Sequence, residues 1–134
     1  MFGLASVIAD NAVALTAAHN ARSFTVPDTV DIGSRTFEVT QINTGAFTGT
    51  DARTVTIGKN VTTLAGEAFK GTKVTKLIVK SKKLTKKSVK GSLKGSKVKT
   101  VKVKVGKRSV NKKYVKKYKK IFTKKNAGRK VSVK

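Results

Sequence analysis

Val39-Thr40-Gln41-Ile42 followed by Gly45-Ala46-Phe47-Thr48-Gly49-Thr50 returns as Val61-Thr62-Thr63-Leu64 followed by Glu67-Ala68-Phe69-Lys70-Gly71-Thr72. A looser third copy holds Leu84, Val89 and Ser92-Leu93-Lys94-Gly95-Ser96. Phe47 to Phe69 is 22 residues, and Phe69 to Leu93 is 24. A period of this size is the signature of a solenoid, whose units cannot bury their apolar side alone and must stack. A stack of this kind offers an extended surface for binding more readily than a pocket for chemistry.

Strand-like segments keep the same period. Arg53–Ile57, Lys76–Val79 and Thr100–Val105 read as one short strand per repeat, and Val55, Leu77 and Val101 are 22 and 24 residues apart; in the last, Val101, Val103 and Val105 alternate with Lys102 and Lys104. The expectation is a ladder of parallel strands, one rung per repeat, with Lys102 and Lys104 on the outer side of the last one. Phe47, Phe69 and Leu93 read as the large buried residues of the connecting turns. Gly49, Gly71 and Gly95 read as left-handed positions ending a short helical turn.

The flanks differ from the repeats. Ser6 to Ala17 around Asp10-Asn11, and Val30 to Val39 around Gly33-Ser34-Arg35, read as hairpins. Ser23–Val26 reads as a strand stopped by Pro27. Val110, Tyr114, Val115, Tyr118, Ile121 and Phe122 fall on one helical stripe, with Lys112, Lys113, Lys116, Lys117, Lys119 and Lys120 around it and Ser109 as the N-cap. Lys130–Val133 reads as a closing strand. The chain is expected to be one solenoid domain over 1–134, with hairpins over 1–38, repeats over 39–108 and a cap over 109–134. With both ends closed, a monomer is expected.

Charge divides the chain. Of 31 basic residues only four lie in 1–67, together with all six acids; the other 27 lie in 68–134, and 25 of them are Lys. Such an imbalance points to a polyanionic partner or to a solvated face. Lys is a flexible point charge, unlike the bidentate fork of Arg, so it favours diffuse attraction over specific readout. Lys102, Lys104, Lys112, Lys113, Lys116, Lys117 and Lys120 are the candidate polyanion-binding residues. Nucleic acid is the alternative partner, with Tyr114 and Tyr118 as candidate stacking residues.

Catalytic signals are weak. There is no Cys and a single His19, which has no companion for a metal site or triad. The acids are scattered, with no spacing suited to paired acid and base. Gly91–Lys97 lacks the spacing of a phosphate loop, and Asn60-Val61-Thr62 matches a glycosylation acceptor common by chance. No cofactor is expected, and no apolar run approaches the ~20 residues needed to span a bilayer.

Ser23–Val30, Phe37–Ile42, Ala46–Gly49 and above all Val55-Thr56-Ile57-Gly58-Lys59-Asn60-Val61-Thr62-Thr63-Leu64 resemble the BspA-type leucine-rich-repeat family, over roughly residues 6–134. The Lys-rich end resembles the C-terminal cap of bacterial members. The resemblance implies a right-handed β solenoid with short helical turns, no shared catalytic residues, and a role in adhesion or recognition at a cell surface. It implies an extracellular setting as part of a longer chain. The start at Met1 has no leader-like pattern, so a chain complete as given would be expected in the cytoplasm. The partner implied is a protein, or an acidic polysaccharide or other cell-wall polyanion.

Overall fold

A computed structural model describes residues 3–134. In chain order the elements are β1 (Gly3–Ala9), β2 (Ala12–Ala18), β3 (Ser23–Thr25), β4 (Thr29–Ile32), β5 (Arg35–Ile42), β6 (Thr54–Ile57), β7 (Thr63–Leu64), β8 (Lys76–Val79), β9 (Thr100–Val103), α1 (Arg108–Lys119), α2 (Lys124–Ala127) and β10 (Ser132–Val133). They build a β solenoid with a five-stranded ladder ordered β10-β9-β8-β6-β3 and a second sheet built on β1-β2-β5-β4, with β7 beside β5.

The ladder is parallel and in register throughout. Phe24, Val55, Leu77, Val101 and Val133 therefore lie in one inward row, and Ile57, Val79 and Val103 in the next; all are buried. Each buried aliphatic contributes ~1.5–3 kcal/mol. Ordering a residue costs ~1–2 kcal/mol. A repeat such as 53–74 buries Val55, Ile57, Val61, Leu64, Ala68, Phe69 and Val74, and it can do so only against its neighbours, so the rungs hold only when stacked.

Stacking starts before the first full copy of the repeated phrase. β2 pairs in parallel with β5, and β3 with β6. The hairpin β4–β5 bulges out between these two rungs, while the hairpin β1–β2 adds an antiparallel edge strand.

The connecting turns repeat closely. Thr48 and Thr50 donate amides to Gly45 and Phe47; Lys70 and Thr72 to Glu67 and Phe69; Lys94 and Ser96 to Gly91 and Leu93, all at 3.1–3.2 Å. These are consecutive three-residue turns and not the short helical turn expected, because each bond closes after three residues and no run continues. Gly49, Gly71 and Gly95 have φ of +79°, +70° and +74°. Phe24 meets Phe47 edge to face with centroids 5.3 Å apart, Phe47 stacks on Phe69 at 5.5 Å, and Leu93 is buried at the corresponding place of the third turn.

The C-terminal end departs from expectation in detail. The strand expected to run to Val105 ends at Val103, and the helix is not capped by Ser109. Its N-cap position is Lys107, whose side chain caps nothing. Asn111 explains both: its Oδ1 accepts from the amides of Val105 (2.7 Å) and Gly106 (3.0 Å), pulling the chain off the ladder and into α1. Tyr118, Ile121 and Phe122 close the open end of the core. A separate short helix, α2, is capped by the Thr123 hydroxyl and ended by Gly128, and β10 then resumes the ladder on β9.

Candidate functional site

Four of the six acids are engaged locally through their carboxyl groups. Asp28 faces Lys59 at 3.7 Å, Glu67 faces Lys70 at 2.8 Å, and Asp51 faces Lys73 at 2.9 Å. Hydrogen bonds from Lys73 and Asn20 hold the Asp51 carboxyl below its ordinary range, and Lys70 does the same for Glu67. Asp31 accepts from the Thr36 hydroxyl at 2.7 Å. Among the described residues no three His, Cys, Asp or Glu side chains gather as metal ligands would. His19 packs on Phe24, centroids 5.1 Å apart. Asn60 donates its side-chain amide to the Asp28 carbonyl at 3.0 Å. Gly91–Ser96 forms the third repeat turn.

The three ion pairs use Lys59, Lys70 and Lys73. Of the 27 basic residues in 68–134, 25 have no ion-pair partner among the described residues. Arg129 donates to the Ser96 carbonyl at 2.9 Å, but no carboxylate among the described residues pairs with any of the 25, so their charge is left to solvent or an external anion.

Five of the seven Lys singled out in the sequence come together. Lys112, Lys113, Lys116, Lys117 and Lys120 surround a shallow depression of ≈ 500 Å³ on α1. Their spacing of three and four residues puts them on the helix side opposite the buried Tyr118. The other two lie apart. Lys102 is half-buried in the ladder beside Ile78. Lys104 lies at the strand ends with Lys59 and Lys80, lining a groove of ≈ 480 Å³. Tyr118 is fully buried and Tyr114 is partly covered, each tilted against its neighbour, so neither offers an open ring face. Lys117 sits over the Tyr114 ring at 5.3 Å.

A larger cleft of ≈ 660 Å³ escaped the sequence reading. Lys86, Lys87, Lys90 and Lys94 of the third repeat form one wall, and Lys125 stands on the other. The Lys spacing over 86–94 was visible in the sequence. The facing Lys125 lies 31 residues beyond Lys94, and only the docking of α2 brings it across.

No protein-family model matches the chain, and no curated protein matches it. Among solved structures the fold is similar to that of a leucine-rich cell surface protein of Faecalibacterium prausnitzii A2-165, with a TM-score of 0.50 and 21% identity. The likeness covers 72% of this chain and 24% of that protein. The fold is thus a leucine-rich-repeat-like β solenoid, and the chain spans about a quarter of the length of that structure. No helix among the described residues is long and apolar enough to cross a membrane.

Proposed function

We propose that this chain is a non-catalytic binding module of a secreted or cell-surface protein, related to the BspA-type leucine-rich repeats, that presents its Lys-rich half to a polyanion. The observation that carries the reading is the set of 25 basic side chains in 68–134 with no ion-pair partner among the described residues. A fold tolerates such a set at the cost of self-repulsion, which an external polyanion relieves. The surface location is supported by the sequence resemblance and by the cell-surface neighbour. The face of α1 holding Lys112, Lys113, Lys116, Lys117 and Lys120 is the proposed contact, with Lys102 and Lys104 extending the positive field.

Titration with heparin and with duplex DNA at ~0.05 and ~0.2 M salt tests this, because each anion contact adds to the salt dependence. Binding to heparin that weakens steeply with salt is the expected result. Sequence-dependent preference for DNA would favour the nucleic-acid reading instead. Absence of binding to either polymer would remove the proposal.

A further inference from the structure

Two Lys-lined depressions lie on this surface, and they are built differently. The α1 face is an open helix side. The cleft between the third repeat and α2 has two walls and a fixed floor. Asn126, itself buried, makes that floor: its Oδ1 accepts from the Gly91 amide at 3.2 Å, and its Nδ2 donates to the Ile121 carbonyl at 2.6 Å. One side chain thus ties the repeat wall to the cap wall. Thr123 Oγ1 accepts from the Asn126 amide at 3.1 Å, and its O–H remains a donor beside the cleft. Asn126 is committed to the tie, so five ammonium groups and the Thr123 hydroxyl, donors all, remain to meet a ligand.

This chemistry selects among polyanions. The cleft has no aromatic lining residue on which a base could stack. It has no Arg to read a planar acceptor pair. No strand and no apolar residue lines it, its apolar surface being the stems of the lysines, so it lacks the usual handles on an acidic peptide. Its volume exceeds what a single small ion fills, and its five charges call for several anionic groups in series.

Resting on the polyanion reading above, we infer that the cleft of Lys86, Lys87, Lys90, Lys94 and Lys125 is a second, discrete site. It takes a flexible polymer that carries tetrahedral oxyanions, phosphate or sulfate, and no bases. The Lys stems allow the ammonium groups to follow successive anions, while the Asn126 tie keeps the walls at a set separation.

The test measures affinity for short inorganic polyphosphate, a heparin oligosaccharide, oligo-dT and poly-glutamate at ~0.15 M salt. Wild type is compared with Lys86→Gln/Lys90→Gln/Lys94→Gln and with Lys112→Gln/Lys116→Gln/Lys120→Gln, all exposed positions whose folding circular dichroism checks. The cleft variant should lose more than about tenfold toward polyphosphate or heparin, and the helix variant only two- to threefold. Whichever of the two polymers shows the larger loss identifies phosphate or sulfate as the anion. As a second readout, the bound polymer should protect the cleft lysines and Lys125 together from amine acylation. Equal losses in both variants would overturn the discrete cleft and leave the general polyanion reading standing. Tighter binding of oligo-dT or poly-glutamate would overturn the assigned ligand class. No binding of any polymer by wild type would overturn both readings.

Discussion

Tyr118 donates its phenol to the main-chain carbonyl of Ser81 at 2.5 Å, joining the C-terminal helix to the second repeat across 37 residues. Ser81 is itself fully buried, and its hydroxyl donates to the Val61 carbonyl at 2.5 Å, one turn further into the stack. The cap is thereby fastened to the repeats by hydrogen bonds as well as by apolar contact. Tyr118→Phe keeps the ring and leaves the Ser81 carbonyl without that donor. The expected loss is ~1–3 kcal/mol in chemical denaturation. Burial pushes the Tyr118 phenol up to about 12, above its unfolded value near 10. The neutral form is thus favoured in the fold, so its contribution is complete below pH ~10 and falls as pH rises toward ~12. The gap between wild type and Tyr118→Phe should narrow over that window, by at most ~1.4 kcal/mol per pH unit. A gap constant through pH ~12 would show that the phenol is not desolvated.

The hydroxyls of Thr50, Thr72 and Ser96 form a second recurring device. Each donates back to the carbonyl three residues earlier, at 2.8, 2.7 and 2.7 Å, and receives the amide two residues later, at 3.4, 3.4 and 3.2 Å. All three residues are buried. Thr72→Val preserves shape, removes both bonds and leaves the Val74 amide unpaired. It should cost ~1–3 kcal/mol, while Thr75→Val, at a half-buried position whose hydroxyl bond is 3.4 Å long, should cost less. Equal effects at the two positions would count against the motif.

Glu67 occupies a left-handed position, φ +57°, where the other two turns have Gly45 and Gly91 at +79° and +70°. The conformation costs a non-glycine residue ~1–2 kcal/mol. Its ion pair with Lys70 is exposed and returns little. Glu67→Gly should therefore raise stability by about 1 kcal/mol, the loosened unfolded chain offsetting part of the gain. A fall in the denaturation midpoint would mean that the Glu67 side chain contributes more than its ion pair suggests.

The ladder was legible because its signal is local and periodic. Val55, Leu77 and Val101 recur at 22 and 24 residues, and the matching spacing of Phe47, Phe69 and Leu93 shows that the strands stack. Thr50 and Thr72 were in the quoted phrase, yet their hydrogen bonding could not be read, because a Thr after Gly also suits a solvated turn. The start of α1 was misplaced because Ser109 looks like a cap, whereas Asn111 holds the preceding amides from inside the helix. The α1 lysines were found through helical spacing on one segment. The cleft was not, since its walls come from segments that only the fold brings together, and a run of Lys carries no mark of what it faces.

The uncompensated charge itself should be measurable as stability. Residues 68–134 hold 27 cations and no anion, and the acids that precede them neutralise only Lys70 and Lys73 there. At ~0.01 M salt the screening length is ~30 Å, so lysines on α1, β9 and the cleft repel one another across the cap. At ~0.1 M it falls to ~10 Å, and only near neighbours still interact. Raising NaCl over this range should raise the thermal midpoint, on the order of 3 °C for each kcal/mol of repulsion removed. The Lys112→Gln/Lys116→Gln/Lys120→Gln variant should start from a higher midpoint and gain less from salt. A midpoint that stays flat in wild type would show that the stems already splay the ammonium groups beyond mutual reach, and the electrostatic case for a polyanion partner would weaken with it.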